Sequence, residues 1–161
     1  MPVEPRAFRH ALGCFASGVC VVTTQAPTGQ ALGVTITSFC SVSLEPSLVL
    51  FCLGRSTSNL EAYTESEYFA VNVLADTQAD LSENFASQRE DKFCGVPFEE
   101  WESGCPILPG CVANLECTLV NTYDGGDHLI LVGRVNRLRM SENGAPLLRY
   151  RGNYACLREK S

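Results

Sequence analysis

Hydrophobic positions follow two periods along this chain. Through residues 4–16, Phe8, Leu12 and Phe15 recur at helical spacing, with Pro5 placed for a first turn and Gly18 for the stop, which predicts an N-terminal amphipathic helix. The period then shortens. Residues 19–24 are β-branched and apolar, residues 25–30 are turn-prone, and the strand pattern resumes over 31–43, so a hairpin is predicted. Pro46 interrupts the line, residues 48–53 form a further strand, and Ser56 or Ser58 is placed to cap a short helix ending near Tyr63. A strand over 68–74 is followed by a helix that Asp76 would cap, with Leu81 and Phe85 on one face. Residues 87–92 are polar and read as loop, and the glycines and prolines of 93–110 exclude long regular structure. Two long strands, 111–123 and 129–140, flank a turn at 124–127, and a short strand pair surrounds Gly152. Strands joined by hairpins and Greek-key returns, with few helices, predict a mainly β (α+β) fold, an antiparallel barrel with peripheral helices.

Composition narrows the function. A chain of 161 residues accommodates a single domain, 1–161, with one core. No apolar run reaches the roughly 20 residues that span a bilayer, and residues 1–10 do not read as a secretion signal, so no membrane contact and a cytoplasmic location are expected. The net charge of -6 offers no basic footprint for nucleic acid. Nine cysteines, an odd number with no C-x-x-C pair and only two histidines beside them, read as reduced thiols rather than disulfides or a metal site. Cys40 is expected to be buried, Asp91 and Lys92 to form a solvated pair, and Trp101 to anchor the irregular segment.

The motifs for a Rossmann site, a P-loop and a nucleophile elbow are absent. Three polar features remain. In residues 35–43, Ile36, Ser38, Cys40 and Val42 alternate with Thr35, Thr37, Phe39, Ser41 and Ser43, giving a hydroxyl-rich face that suits either a solvated sheet surface or a ligand wall. Arg55 followed by Ser56, Thr57, Ser58 and Asn59 after a strand suits either a phosphate site or an ordinary helix cap. His128, after Gly126 and Asp127, either donates to a ligand or satisfies its own turn.

Taken in order, these blocks resemble the flavin reductase-like, FMN-binding split-barrel family. The matching stretches are FRHALGCFASGV at 8–19, VVTT at 21–24, TITSFCSVSL at 35–44 with Pro46, FAVNVL at 69–74, GDH at 126–128, and PLL at 146–148 with Gly152 and Tyr154. The family includes the small reductase components of two-component flavin monooxygenases. The resemblance implies a split-barrel homodimer that reduces FMN or FAD with NADH or NADPH and passes reduced flavin by diffusion to a flavin-dependent monooxygenase.

It also implies residue roles. Thr35, Ile36, Thr37, Ser38 and Phe39 would line the flavin ring, with Ser41 and Val42 beside ring and nicotinamide. Ser56, Thr57, Ser58 and Asn59, with Ala86, Ser87, Gln88 and Arg89, would hold the flavin phosphate. His128 would orient the nicotinamide, and Tyr150, Arg151 and Gly152 would close over it. Many relatives carry Asn at the position of Thr37, so a hydroxyl stands here in place of an amide. Hydride transfer needs positioning rather than a nucleophile, so no covalent residue is assigned. Two other readings stay open: a non-enzymatic flavin-binding or electron-transfer protein, and a split-barrel oxidase with its own substrate.

Overall fold

The computed structural model describes residues 3–157. Among these residues are twelve strands, β1 (Ser17–Gly18), β2 (Cys20–Gln25), β3 (Ala31–Ile36), β4 (Cys40–Leu44), β5 (Ser47–Gly54), β6 (Tyr68–Val73), β7 (Glu99–Glu100), β8 (Pro106–Ile107), β9 (Ala113–Gly125), β10 (His128–Met140), β11 (Leu148–Tyr150) and β12 (Asn153–Ala155), and three short helices, α1 (Pro5–Leu12) before β1, α2 (Leu60–Glu65) before β6 and α3 (Ala79–Ala86) before β7. Seven strands form one antiparallel sheet in the order β3-β2-β6-β9-β10-β5-β4, and β1-β11-β12 and β7-β8 form two small ones. No ladder joins the end strands β3 and β4, so the expected barrel is seen as an open antiparallel sheet.

β2 explains why the sheet has a firm centre. Cys20 and Val22 face one core with Phe51, Phe69 and Leu131, while Val21 faces a second with Leu74, Phe85 and Leu147. Covered on both sides, the strand reads as a continuous apolar run rather than an alternation. In the first core Phe51 and Phe69 meet edge to face at 5.0 Å. Gly133 makes that packing possible, because a Cβ there would lie 2.2 Å from the Phe69 ring.

Several sequence expectations are corrected. α1 ends at Leu12 and not at residue 16, capped by the Glu4 carboxylate accepting from the N–H groups of Arg6 and Ala7. Its apolar stripe is exposed, with Phe8 and Leu12 at 55 and 57 %, as is Phe15 beyond its end at 79 %. Neither Ser56 nor Ser58 caps α2, which begins behind Asn59 in a left-handed conformation (φ 58°). Asp76 does not cap α3, which starts behind Gln78, whose side chain accepts from Ala75 N–H. The strand expected over 31–43 breaks at 37–39, and a bulge falls between Ser41 and Ser43, so the alternation does not carry through. Phe39 turns into the first core, and Cys40 is exposed instead of buried. The other expected strands appear with ends shifted by a few residues, and residues 93–110 carry only β7 and β8.

Buried amides tie that irregular segment down. Asn72 on β6 accepts from Leu108 N–H at 2.9 Å and from Asn114 at 2.8 Å, and donates to Val21 O. Thr23 donates to Pro106 O, and buried Glu116 accepts from the N–H and hydroxyl of Ser103. Trp101 lies under the guanidinium of Arg137 at 4.4 Å and donates to Glu99, the anchoring role expected of it.

Candidate flavin and nicotinamide site

The site forms where an unpaired sheet edge meets a helix. β3 ends the main sheet, so the backbone along one side of it is free of ladder bonds. α3 approaches it closely because residue 33 is glycine: a Cβ would lie 2.5 Å from the Phe85 ring. Thr35 donates its hydroxyl to Ser82 O at 2.7 Å, fixing helix to strand. Between them opens a cleft of about 440 Å³ walled by Thr35, Ile36 and Thr37 on one side and Ala86 and Ser87 on the other. Arg149 and Tyr154 close its end, the guanidinium 4.8 Å above the Tyr154 ring and the phenol donating to Ser82.

A second cleft, about 240 Å³, opens along the same backbone and adds Ser38, Thr57 and His128. Ser38 spends its hydroxyl on β5, donating to Cys52 O at 3.0 Å and accepting from Cys52 N–H at 2.9 Å. Thr37 is exposed, and neither it nor Thr57 makes a side-chain hydrogen bond among the described residues, so these are the hydroxyls of the cleft offered to a ligand.

His128 opens β10 opposite Gly54. Arg55 sets its turn, donating through its backbone N–H to Asp127 O, through Nε to Gly126 O, and pairing with Asp124. Arg55 is thus a brace for the histidine turn. Asp127 Oδ1 lies 2.7 Å from His128 Nδ1, and this hydrogen bond holds the Asp127 carboxyl below its usual range. With Nδ1 engaged, Nε2 is the ring nitrogen left for a ligand.

A third cleft of about 420 Å³ joins the two segments assigned to the phosphate: Ser58 and Asn59 face Gln88 and Arg89, and Ser58 donates to Gln88 at 3.5 Å. Lys92 lines the same cleft. It is no solvated partner of Asp91, which accepts from Phe93 N–H instead. Its ammonium donates to Phe85 O at the end of α3 and to Gly33 O on β3, and burial lowers its pKa.

Within one chain, therefore, Thr35, Ile36, Thr37, Ser38, Thr57 and His128 converge, as do Ser58, Asn59, Gln88 and Arg89, with Ala86 and Ser87 between the two groups. Ser56 lies beside them, near Gly54. Ser41 and Val42 are exposed on β4 and line none of these clefts, and Tyr150, Arg151 and Gly152 stand apart in the β11–β12 turn. Sequence reasoning did not bring Ser82, Lys92 or Arg149 to the site. Their signal is purely tertiary, since each arrives from an element distant in the chain.

Residues 12–158 match the family described as flavin reductase like domain, and the chain belongs to that family. It is 44 % identical over 138 residues to a probable flavin reductase of Rhizobium meliloti (strain 1021), which covers 86 % of this chain and 44 % of that protein, so the chain spans less than half the length of that relative. It is 42 % identical over 152 residues to the reductase subunit HsaB of a flavin-dependent monooxygenase of Rhodococcus jostii (strain RHA1), covering 94 % of this chain and 77 % of the subunit. Among solved structures, the NADH:FAD oxidoreductase SgcE6 of Streptomyces globisporus C-1027, in complex with NAD and FAD fragments, superposes with a TM-score of 0.92 at 34 % identity, covering 100 % of this chain and 99 % of that one.

Proposed function

We propose that the chain, over 1–161, is one flavin reductase domain that transfers hydride from NADH or NADPH to FMN or FAD and releases reduced flavin, which diffuses to a flavin-dependent monooxygenase. The observation that carries this is the run 35–38 at the end of the free strand β3, which lines one cleft with Thr57 and His128 and another with Ala86 and Ser87, while Ser58, Asn59, Gln88 and Arg89 line a third. HsaB, by its name the reductase subunit of a monooxygenase, and SgcE6, seen with NAD and FAD fragments, support the reading.

The donor set suits a flavin. Backbone N–H groups of an edge strand and the Thr37 hydroxyl suit the polar rim of the ring system, and Ser58, Asn59, Gln88, Arg89 and Lys92 suit a phosphate. When bound, the flavin supplies the acceptor for the hydride. The chain's part is positional: α3 and β3, locked by Gly33 and by Thr35, fix the width of the cleft, and the backbone of 35–38 would hold a flavin there and stabilise the negative charge it gains on reduction. His128, held through Nδ1 by Asp127, would orient a nicotinamide by offering Nε2 to its carboxamide.

We place the chain in a split-barrel homodimer, with Ser41 and Val42 beside ring and nicotinamide and the Tyr150, Arg151 and Gly152 turn closing over the nicotinamide. The exposed apolar residues of α1, β4, β9 and β10 supply the surface for it. The cytoplasm is the proposed location, since nine free thiols suit a reducing compartment; among the described residues no helix is long and apolar enough to cross a membrane.

The test is oxidation of NADH and of NADPH under air with FMN, FAD and riboflavin supplied in turn, for wild type and His128→Ala. We expect flavin-dependent turnover in the wild type and, in the variant, a KM for the nicotinamide raised about tenfold, near the worth of one good polar contact, with flavin affinity unchanged. No turnover with any flavin refutes the reading, and unchanged kinetics in the variant removes His128 from it.

A further inference from the structure

The fold assembles an arginine cluster that the linear sequence does not display. α1 carries Arg6, Arg9 and His10 on one face, opposite its apolar stripe, and the β11–β12 turn brings Arg151 against them from the other end of the chain. Together with Gly13 and Gly152 they line a cleft of about 410 Å³. The two ends are fastened there by Arg151 N–H donating to Gly13 O at 2.7 Å.

Two observations mark this as more than a solvated face. The chain is acidic overall, at -6, yet among the described residues no carboxylate pairs with Arg6, Arg9 or Arg151. Glu4, the nearest in sequence, is engaged with backbone N–H groups at the start of α1. The second observation is Arg151 itself. It takes a left-handed backbone (φ 48°) ahead of Gly152 (φ 80°), a turn position that favours Asn or Gly over a long side chain. An arginine held in that conformation with its guanidinium 5.3 Å from the Tyr150 ring is oriented by its surroundings, and such strain points to use. Arg9 and His10 also complement the dipole at the end of α1, but that role does not account for Arg6 or Arg151.

We infer that this cleft binds the phosphates on the adenosine half of a dinucleotide. The inference rests on the reading of the chain as a dinucleotide-using reductase. Arg149, which lines the flavin-side cleft, and Arg151, which lines this one, stand two residues apart on either side of Tyr150 at the end of β11, so the two clefts adjoin through that strand end. Guanidinium groups grip phosphate oxygens in pairs, which suits a pyrophosphate or a ribose phosphate better than a carboxylate-free apolar ligand.

The experiment is calorimetric titration of 2′,5′-ADP into wild type, Arg6→Ala/Arg9→Ala and Arg151→Asn at low and high salt. Asn suits the turn, so the last variant keeps the fold. We expect binding in the wild type that salt weakens, and affinity lowered about tenfold or more in both variants, the loss of one or two charge-assisted bonds. In turnover assays the source of the adenosine half is read from which KM rises, that of NADH and NADPH or that of FAD relative to FMN. No binding by the wild type, equal affinity in the variants, or no change in any KM overturns the inference. A wild type that binds 2′,5′-ADP but turns over no flavin counts against the reductase reading and leaves the cleft standing.

Discussion

β2 and β4 are strands of the same sheet with opposite fates. All of β2 but Gln25 is buried, whereas β4 leaves Val42 and Leu44 in solvent. The difference is one of position. β2 lies between β3 and β6 with a core on either face, and β4 ends the sheet with only β5 beside it. The exposed apolar set continues elsewhere on the periphery, at Val120, Tyr123, Leu138 and Met140 and along α1. The centre of the sheet thus holds the chain folded, and its margin holds apolar surface that a second copy would cover.

The sharpest way to break the central region is Gly133→Val, which forces a branched side chain into the space of the Phe69 ring. Overpacking of this kind costs about 3 kcal/mol or more, and a melting point lowered by about 10 °C is expected for a chain of this size; a variant melting with the wild type would show that the centre yields more than its packing suggests. At the margin, Phe15→Asp with Leu44→Asp is expected to halve the mass seen by light scattering while stability per chain changes by less than about 0.5 kcal/mol for each surface change. An unaltered dimeric mass would place the contact elsewhere, and a wild type of single-chain mass would refute the proposed homodimer.

The smallest effect separates the two regions by thiol chemistry. Cys14, Cys40, Cys94 and Cys156 are exposed and should react at once with a thiol reagent, while the buried four wait for unfolding. Burial pushes Cys20 and Cys117 up to about 12 and Cys111 to about 11, and raises Cys105 as well. The unfolded chain loses these protons from about 9 upwards while the folded chain keeps them, so stability falls as pH rises from there towards 11 or 12. Stability rising through that range would contradict the burial.

Local rules made the strands and hairpins legible, because β-branched runs bounded by turn residues depend on neighbours in sequence. The helical stripe of α1 was legible too, but not its exposure: periodicity tells that Phe8, Leu12 and Phe15 share a face and not what covers it. The break at 37–39 was hidden because Phe39 and Cys40 exchange inside and outside through the path of the backbone rather than through composition. In the site, Thr35, Ser38 and His128 were found from the resemblance, yet the hydroxyls of Thr35 and Ser38 hold structure, leaving those of Thr37 and Thr57 open. The arginine cleft was out of reach, being built from residues 6–9 and 151.

The amide network of Asn72 and Asn114 reaches beyond packing. Residues 93–110 have little regular structure, yet near their end Pro106 O, Leu108 N–H and Leu108 O are all claimed by side chains of the adjoining strands. A protease needs a stretch of backbone that it can pull into extended form, and here that means breaking buried bonds on β2, β6 and β9 at once. The 106–108 end of this loop is thereby guarded against cleavage, and a residue added or removed there would be felt three strands deep.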